Sequence, residues 1–183
     1  MGVVRGILVA VSLLALAACG TGKGPVSNTV SDWNLQDVSV GFGPEIPPDA
    51  TGQSFESNFV WNGLHGGDRK QQVVGLFERA MREVGAEAMR GTRPVTLRVT
   101  VNRFHALTES SRLFCCGEHR IRADLAIYDA VAGAELASVD NLYMGRVALG
   151  GIPGLVAVAA GRDQAVRIHE GLVNSARAWL SGL

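Results

Sequence analysis

Two histidines, a carboxylate and two adjacent cysteines fall in one short stretch of the chain: His105, Glu109, Cys115, Cys116 and His119. Imidazole nitrogen, thiolate sulfur and carboxylate oxygen are the donors a transition-metal ion takes. A hairpin centred near Arg112 would set His105 opposite His119 and Glu109 opposite Cys115. The same register pairs Leu97 with Ile127 and Val99 with Leu125, keeping apolar partners on one face. The spacing matches no standard zinc motif, and the plainer alternative is a hairpin completed by hydrogen bonds. Cys115 and Cys116 raise a second, redox chemistry. Adjacent strand residues point to opposite faces, and their α-carbons stand about 3.8 Å apart, shorter than the usual disulfide range. A bond between them needs a distorted turn, which a hairpin tip followed by Gly117 could supply, and it would be strained and labile. Free thiols are the alternative.

Other chemistries find little support. The chain has no Gly-x-Ser-x-Gly elbow, phosphate loop, His-Glu-x-x-His helix or recognisable glycosidase acid pair, so no enzyme and no resident cofactor are expected. Seventeen basic residues balance seventeen acidic ones, which leaves no electrostatic footprint for nucleic acid. Arg98, Arg120 and Arg122 fall on a polar strand face, with Arg103 and Arg112 nearer the hairpin tip. Together they could meet an anionic partner such as lipid phosphates, but a solvated face shared with Glu118 and Asp124 is the preferred reading.

The elements that position these residues follow from periodicity. Val38, Val40 and Phe42 alternate with small or polar residues, as in a half-buried strand over Asp37 to Phe42. The connection from Gly43 to Gly67 is long for a structureless loop, so part of it, around Phe59 to Trp61, is expected to pack or pair. Asp68 with Gln71 three residues on resembles a capping box, and Val73, Phe77, Ala80, Met81, Val84 and Ala88 recur at helical spacing. Either Gly85 ends this helix early, or Gly91 and Pro94 stop it. Strands follow at Val95 to Val101, at Arg120 to Ile127, and from about Glu135 to Arg146 after a turn at Gly133. A last helix runs from about Arg162 to Leu180, with Ala165, Ile168, Leu172, Ala176 and Trp179 on its apolar face. The expected fold is α+β: a four-stranded, mainly antiparallel sheet with two helices on one face, in the order strand, helix, three strands, helix.

Before the last helix lies an uncharged run from Val147 to Gly161. It is too short to span a membrane and too apolar for an ordinary exposed loop. Leu155, Val156 and Val158 are candidates for contact with a membrane surface or partner. Alternatively the run is a buried first turn of the last helix started by Pro153, and at least one of Leu155 and Val158 is expected in the core.

The N-terminus carries Arg5, an apolar run from Ile7 to Leu16, and then Leu16-Ala17-Ala18-Cys19-Gly20. Small residues before a cysteine at the end of such a run resemble the lipobox of bacterial lipoproteins. That resemblance implies a signal peptide over residues 1–18 and a covalent lipid on Cys19, stably anchored through its acyl chains. Gly20 in the second position implies the outer membrane, with the domain facing the periplasm. Residues 19–34 read as lipidated cysteine and flexible tether, and 35–183 as one domain.

The central stretch resembles an uncharacterised family of alphaproteobacterial envelope lipoproteins. The likeness is carried by Gly67-Asp68-Arg69, Arg93-Pro94-Val95, the segment Arg103-Phe104-His105-Ala106-Leu107-Thr108-Glu109 and the hairpin from Ile121 to Leu136. In element order the chain is also similar to the lipoprotein of lipopolysaccharide assembly and to accessory lipoproteins of envelope transporters, which dock onto larger proteins. The leading expectation is a membrane-anchored, non-catalytic accessory lipoprotein with an envelope protein partner. The alternative is a periplasmic metal or small-ligand binder using the His/Cys hairpin.

Overall fold

The computed structural model describes residues 29–51, 57–61, 66–106, 117–161 and 163–183. The elements are β1 (Trp33–Phe42), β2 (Phe59–Val60), α1 (Arg69–Ala88), β3 (Arg93–His105), β4 (Gly117–Asp129), β5 (Glu135–Tyr143), β6 (Arg146–Ala148), α2 (Gly151–Ala159) and α3 (Gln164–Leu180). The core sheet has the order β1-β3-β4-β5. β2 adds to β3 beside the end of β1, and β6 pairs with the start of β4. β1 and β2 run parallel to β3, whereas β3, β4 and β5 form an antiparallel meander. This is the expected α+β sheet with two main helices packed on one face.

Apolar alternation builds the core. Val95, Leu97, Val99 and Val101 of β3 and Ile121, Ala123, Leu125 and Ile127 of β4 are all buried. They meet Val73, Phe77, Ala80, Met81 and Val84 of α1 and Ile168, Leu172 and Ala176 of α3 in one cluster. Such burial, at about 25 cal/mol per Å² of apolar surface, is the main term holding helices to sheet.

Local signals decide where the elements begin and end. The Asp68 side chain accepts hydrogen bonds from the Lys70 and Gln71 amides at the start of α1, satisfying donors the helix cannot. Gly85 does not end α1. It lies within the helix where Leu35 of β1 crosses, so close that a β-carbon would stand 2.3 Å from Leu35 Cδ2. α1 closes at Ala88, three residues before Gly91. The long connection is tied down as expected in part: Phe59, Val60 and Trp61 are buried, and β2 pairs with Phe104 and His105. Lys70 Nζ also donates to the Pro47 and Pro48 carbonyls, at 2.7 and 2.9 Å.

β3 and β4 extend beyond their expected ends, to Arg93–His105 and Gly117–Asp129, and three further differences stand out. β1 starts at Trp33, which is buried, so the folded part begins inside the stretch read as tether. The strand expected from Glu135 to Arg146 is broken at Met144 and Gly145 into β5 and β6. The uncharged run forms its own helix, α2, instead of the first turn of the last helix, and Asp163 caps α3 by accepting from the Val166 amide.

At the far end of the meander Asp129 accepts from the Val131 and Ala132 amides (2.9 and 2.8 Å) and from Arg93 Nε (2.9 Å). The Ala132 amide, then Arg93 and the Val131 amide, hold its carboxyl below the usual carboxylate range. A depressed carboxylate stabilises the fold above its unfolded pKa of about 4, and the contribution is lost as pH falls through the folded value. Asp129→Asn is therefore expected to flatten the fall of stability with pH below about 4. Urea melts at pH 3 and pH 6 measure it, and an unchanged pH dependence would remove Asp129 from the acid response.

Candidate functional site

The β3–β4 ladder begins in the expected register, with Leu97 opposite Ile127 and Val99 opposite Leu125. It does not stay there. Between Val101 and Arg103 the pairing shifts by one residue, so that Arg103 faces Arg122, Phe104 faces Ile121 and His105 faces Arg120. Asn102 is the extra residue, and its side-chain amide donates to Asp124 Oδ1 at 2.8 Å. Because side chains alternate strictly along a strand, a one-residue bulge exchanges the faces of everything beyond it. Phe104 enters the core and His105 goes to the outer face, while His119, two residues before Ile121, stays on the core side and is 2% exposed.

The expected meeting of His105 and His119 is thereby corrected: the bulge places them on opposite faces. Glu109, Cys115 and Cys116 lie outside the described residues. Among the described residues no three His, Cys, Asp or Glu side chains are grouped to hold a metal ion. Desolvation, with Arg103 and Arg120 nearby, pushes the His105 imidazole below its ordinary pKa, against the opposing effect of the Ser57 backbone contact.

The outer face of the sheet carries Arg98, Arg120 and Arg122, as the alternation predicted, and the bulge adds Arg103 to it; Arg112 lies outside the described residues. Arg98 stacks over the Tyr128 ring at 4.9 Å and Arg122 over the Tyr143 ring at 5.5 Å. The Tyr143 hydroxyl donates to Glu118. Burial and Glu118 push its pKa up to about 12, so it stays a donor. Asp124 is occupied by Asn102 and by the Asn141 amide. Arg103, Arg120 and Arg122 therefore share a patch in which Glu118, 3.9 Å from Arg120, is the one carboxylate paired with them among the described residues. Beyond Asp124 the face forms a shallow concavity of about 430 Å³ lined by Arg98, Thr100, Tyr128, Ser138 and Asp140.

Residues 53–183 match the model of a Family of unknown function (DUF6778). The chain belongs to that family. The match takes in β2, both faces of the hairpin and everything to the C-terminus, so the DUF6778 region contains the bulge, the arginine patch and α2. A comparison with curated proteins finds no match. Among solved structures, a candidate lipoprotein of Caulobacter crescentus CB15 is 18% identical, covers 59% of this chain and 80% of its own, and has a TM-score of 0.41. A Xanthomonas campestris protein of family DUF330 is 14% identical over 85% and 86% of the two chains, with a TM-score of 0.47. The PelC dodecamer of Paraburkholderia phytofirmans gives 16%, 82% and 90%, and 0.32. Scores this low transfer no activity to the DUF6778 chain.

The third feature of the DUF6778 region lies where β6 leads into α2. Ile152 is 77% exposed and Val156 63%, and Val147 of β6 is also 63% exposed. Val156 was expected to be a contact residue. The side chains of Leu155 and Val158, the other two candidates, lie outside what is described. Ile152 was not singled out, although its spacing of four from Val156 marks one helical face. No helix among the described residues is long and apolar enough to cross a membrane.

Beneath α2 sit His119 and Arg167, the two buried polar residues among those described. Arg167 Nη2 donates to the Val147 carbonyl at 2.7 Å. They line, with Gln164, Ala148, Gly154 and Ala157, a cavity of about 10 Å³, room for one water. Arg167 escaped the sequence reading because an arginine beside the apolar face of an amphipathic helix reads as a solvated side chain.

Proposed function

We propose that this chain is a lipid-anchored, non-catalytic accessory domain of the cell envelope, docking onto a larger envelope protein through α2. The observation that carries the reading is the exposure of Ile152, Val156 and Val147 around a helix without a charged or polar side chain. Small domains seldom leave neighbouring aliphatic side chains in water, and a dry apolar centre is what a protein interface requires. Cys19 supports the anchor, and residues 20–28 give it a reach of about 30 Å when extended. The bulge removes the pairing of His105 with His119 on which the metal-binding alternative drew.

The test compares wild type, Ile152→Asp and Cys19→Ser by cross-linking and affinity capture from membranes. Ile152→Asp should stay within about 0.5 kcal/mol of wild-type stability, as exposed substitutions do, and lose most of the captured partner. Cys19→Ser should block lipid attachment and leave the leader uncleaved at that position. Capture unaffected by Ile152→Asp would refute docking through α2. Processing of Cys19→Ser at the wild-type site would refute the anchor.

A further inference from the structure

We propose that Arg103, Arg120 and Arg122, on the outer face beyond the Asn102 bulge, form a binding site for a phosphate-type oxyanion. The first support is the ladder itself. Arg103 stands directly opposite Arg122, and the adjacent position on that face sets His105 opposite Arg120. Like charges directly opposite one another destabilise a sheet. The register shift produces one such rung, Arg103 against Arg122, and sets His105 across from Arg120 beside it. Without the bulge Arg103 would not face Arg122.

The second support is the state of the donors. Arg103 Nε is buried and has no hydrogen-bond partner. A buried donor left unmade costs free energy, which an accepting oxyanion would recover. Arg122 is occupied on one nitrogen, donating to the Asn141 carbonyl at 3.3 Å, and its guanidinium lies over the Tyr143 ring. Arg120 has only Glu118 at 3.9 Å, beyond hydrogen-bond distance, and that carboxylate already accepts from Tyr143.

Neighbouring charge does not cancel the patch. Glu118 and Asp124 set two negative charges against the three arginines, leaving the patch net positive. The donors on Asp124 are the neutral Asn102 and Asn141 amides, and the connection of residues 107–116 carries one acid and one base, Glu109 and Arg112. Three guanidinium groups present planar forks, the geometry that engages phosphate edges in pairs of hydrogen bonds. An anion seated among them turns the repulsion of the ladder into attraction. The phosphate is either a free solute or part of a lipid headgroup. The site is independent of docking through α2, so the two readings fail separately.

The experiment titrates the full chain, purified in detergent, with inorganic phosphate by calorimetry and follows the His105 imidazole by NMR. Saturable binding is expected, weakening as sodium chloride rises. It should be at least about tenfold weaker in Arg103→Gln and in Arg122→Gln, and unchanged in Arg98→Gln, which lies on the same face at its other end. In wild type, where no folding defect can intervene, phosphate should raise the titration midpoint of His105. A parallel arm measures sedimentation with phosphatidylcholine vesicles with and without phosphatidylglycerol. Binding to the anionic vesicles with the same dependence on Arg103 and Arg122 assigns the phosphate to a lipid headgroup, and binding of inorganic phosphate alone assigns it to a solute. No binding in either arm, or binding indifferent to both arginines, overturns the proposal.

Discussion

Phe104→Ala is expected to lower the stability of the domain by about 3–5 kcal/mol, the range for emptying a fully buried aromatic site. Phe104 is completely buried and contacts three other rings: Trp61 edge-on at 5.6 Å, Phe77 at 6.3 Å and Phe59 at 6.4 Å. These come from the connection before α1, from α1 and from β2, so one side chain joins three elements. Its amide also donates to the Asn58 carbonyl at 2.8 Å. Removing the ring leaves a cavity that rigid aromatic neighbours cannot close. In a domain of this size each kcal/mol moves the melting temperature by about 2–4 °C. Thermal melts should therefore show a drop of roughly 6–20 °C. A loss below about 1 kcal/mol would mean that the three rings repack without it.

Gly91→Ala should produce the second large loss, through the backbone. A β-carbon at Gly91 would stand 2.1 Å from both the carbonyl carbon and the oxygen of Asp32. Main-chain atoms cannot rotate away as a side-chain tip can. Gly91 also donates its amide to the Trp33 carbonyl at 2.8 Å, and Asn34 forms a bridge to Arg90. The link between α1 and β3 thus holds the start of β1, and alanine must push them apart. A cost of about 3 kcal/mol is expected, the upper part of the usual overpacking range. Denaturant unfolding measures it, and hydrogen exchange should locate it as faster exchange of the β1 amides than of those in β4. Uniform exchange across both strands would show that β1 is not separately loosened.

Most of the architecture was legible because it rests on repeated apolar positions. Leu97, Val99, Leu125 and Ile127 fix the core face through alternation, a hairpin centred near Arg112 gives their register, and Asp68 announces α1 through its own chemistry. The bulge was not legible. Asn102 replaces neither a glycine nor a proline, and its effect depends on Asp124, twenty-two residues away, accepting from its amide. A sequence pattern has no access to such a pairing, yet it decides which face His105 occupies. The start of β1 was missed for a related reason. Asn34, Gln36 and Asp37 are polar and exposed, and the pairing with β3 is irregular between Leu35 and Asp37, so the alternation of Trp33 and Leu35 breaks before it reaches Val38. Arg98, Arg120 and Arg122 were visible as residues on one face. Arg103 was not, because it reaches that face, opposite Arg122, only after the shift.

The parallel pairing of β1 with β3 also sets how the domain responds to force. β1 enters at Trp33 and its partners on β3 run from Arg93 to Val101 in the same direction, whereas α2 sits at the other end of the sheet, beside the start of β4. Tension applied through the residues before Trp33 and resisted near α2 acts along the length of β1. The ladder bonds from Trp33 to Phe42 are then loaded together in shear, and none can open ahead of the others as they would if the strand were peeled from one end. Rupture under load is governed by the unfolding rate, not by equilibrium stability. Gly91 and Leu35, which clamp the entry of β1, therefore bear on mechanical lifetime more than on any binding surface.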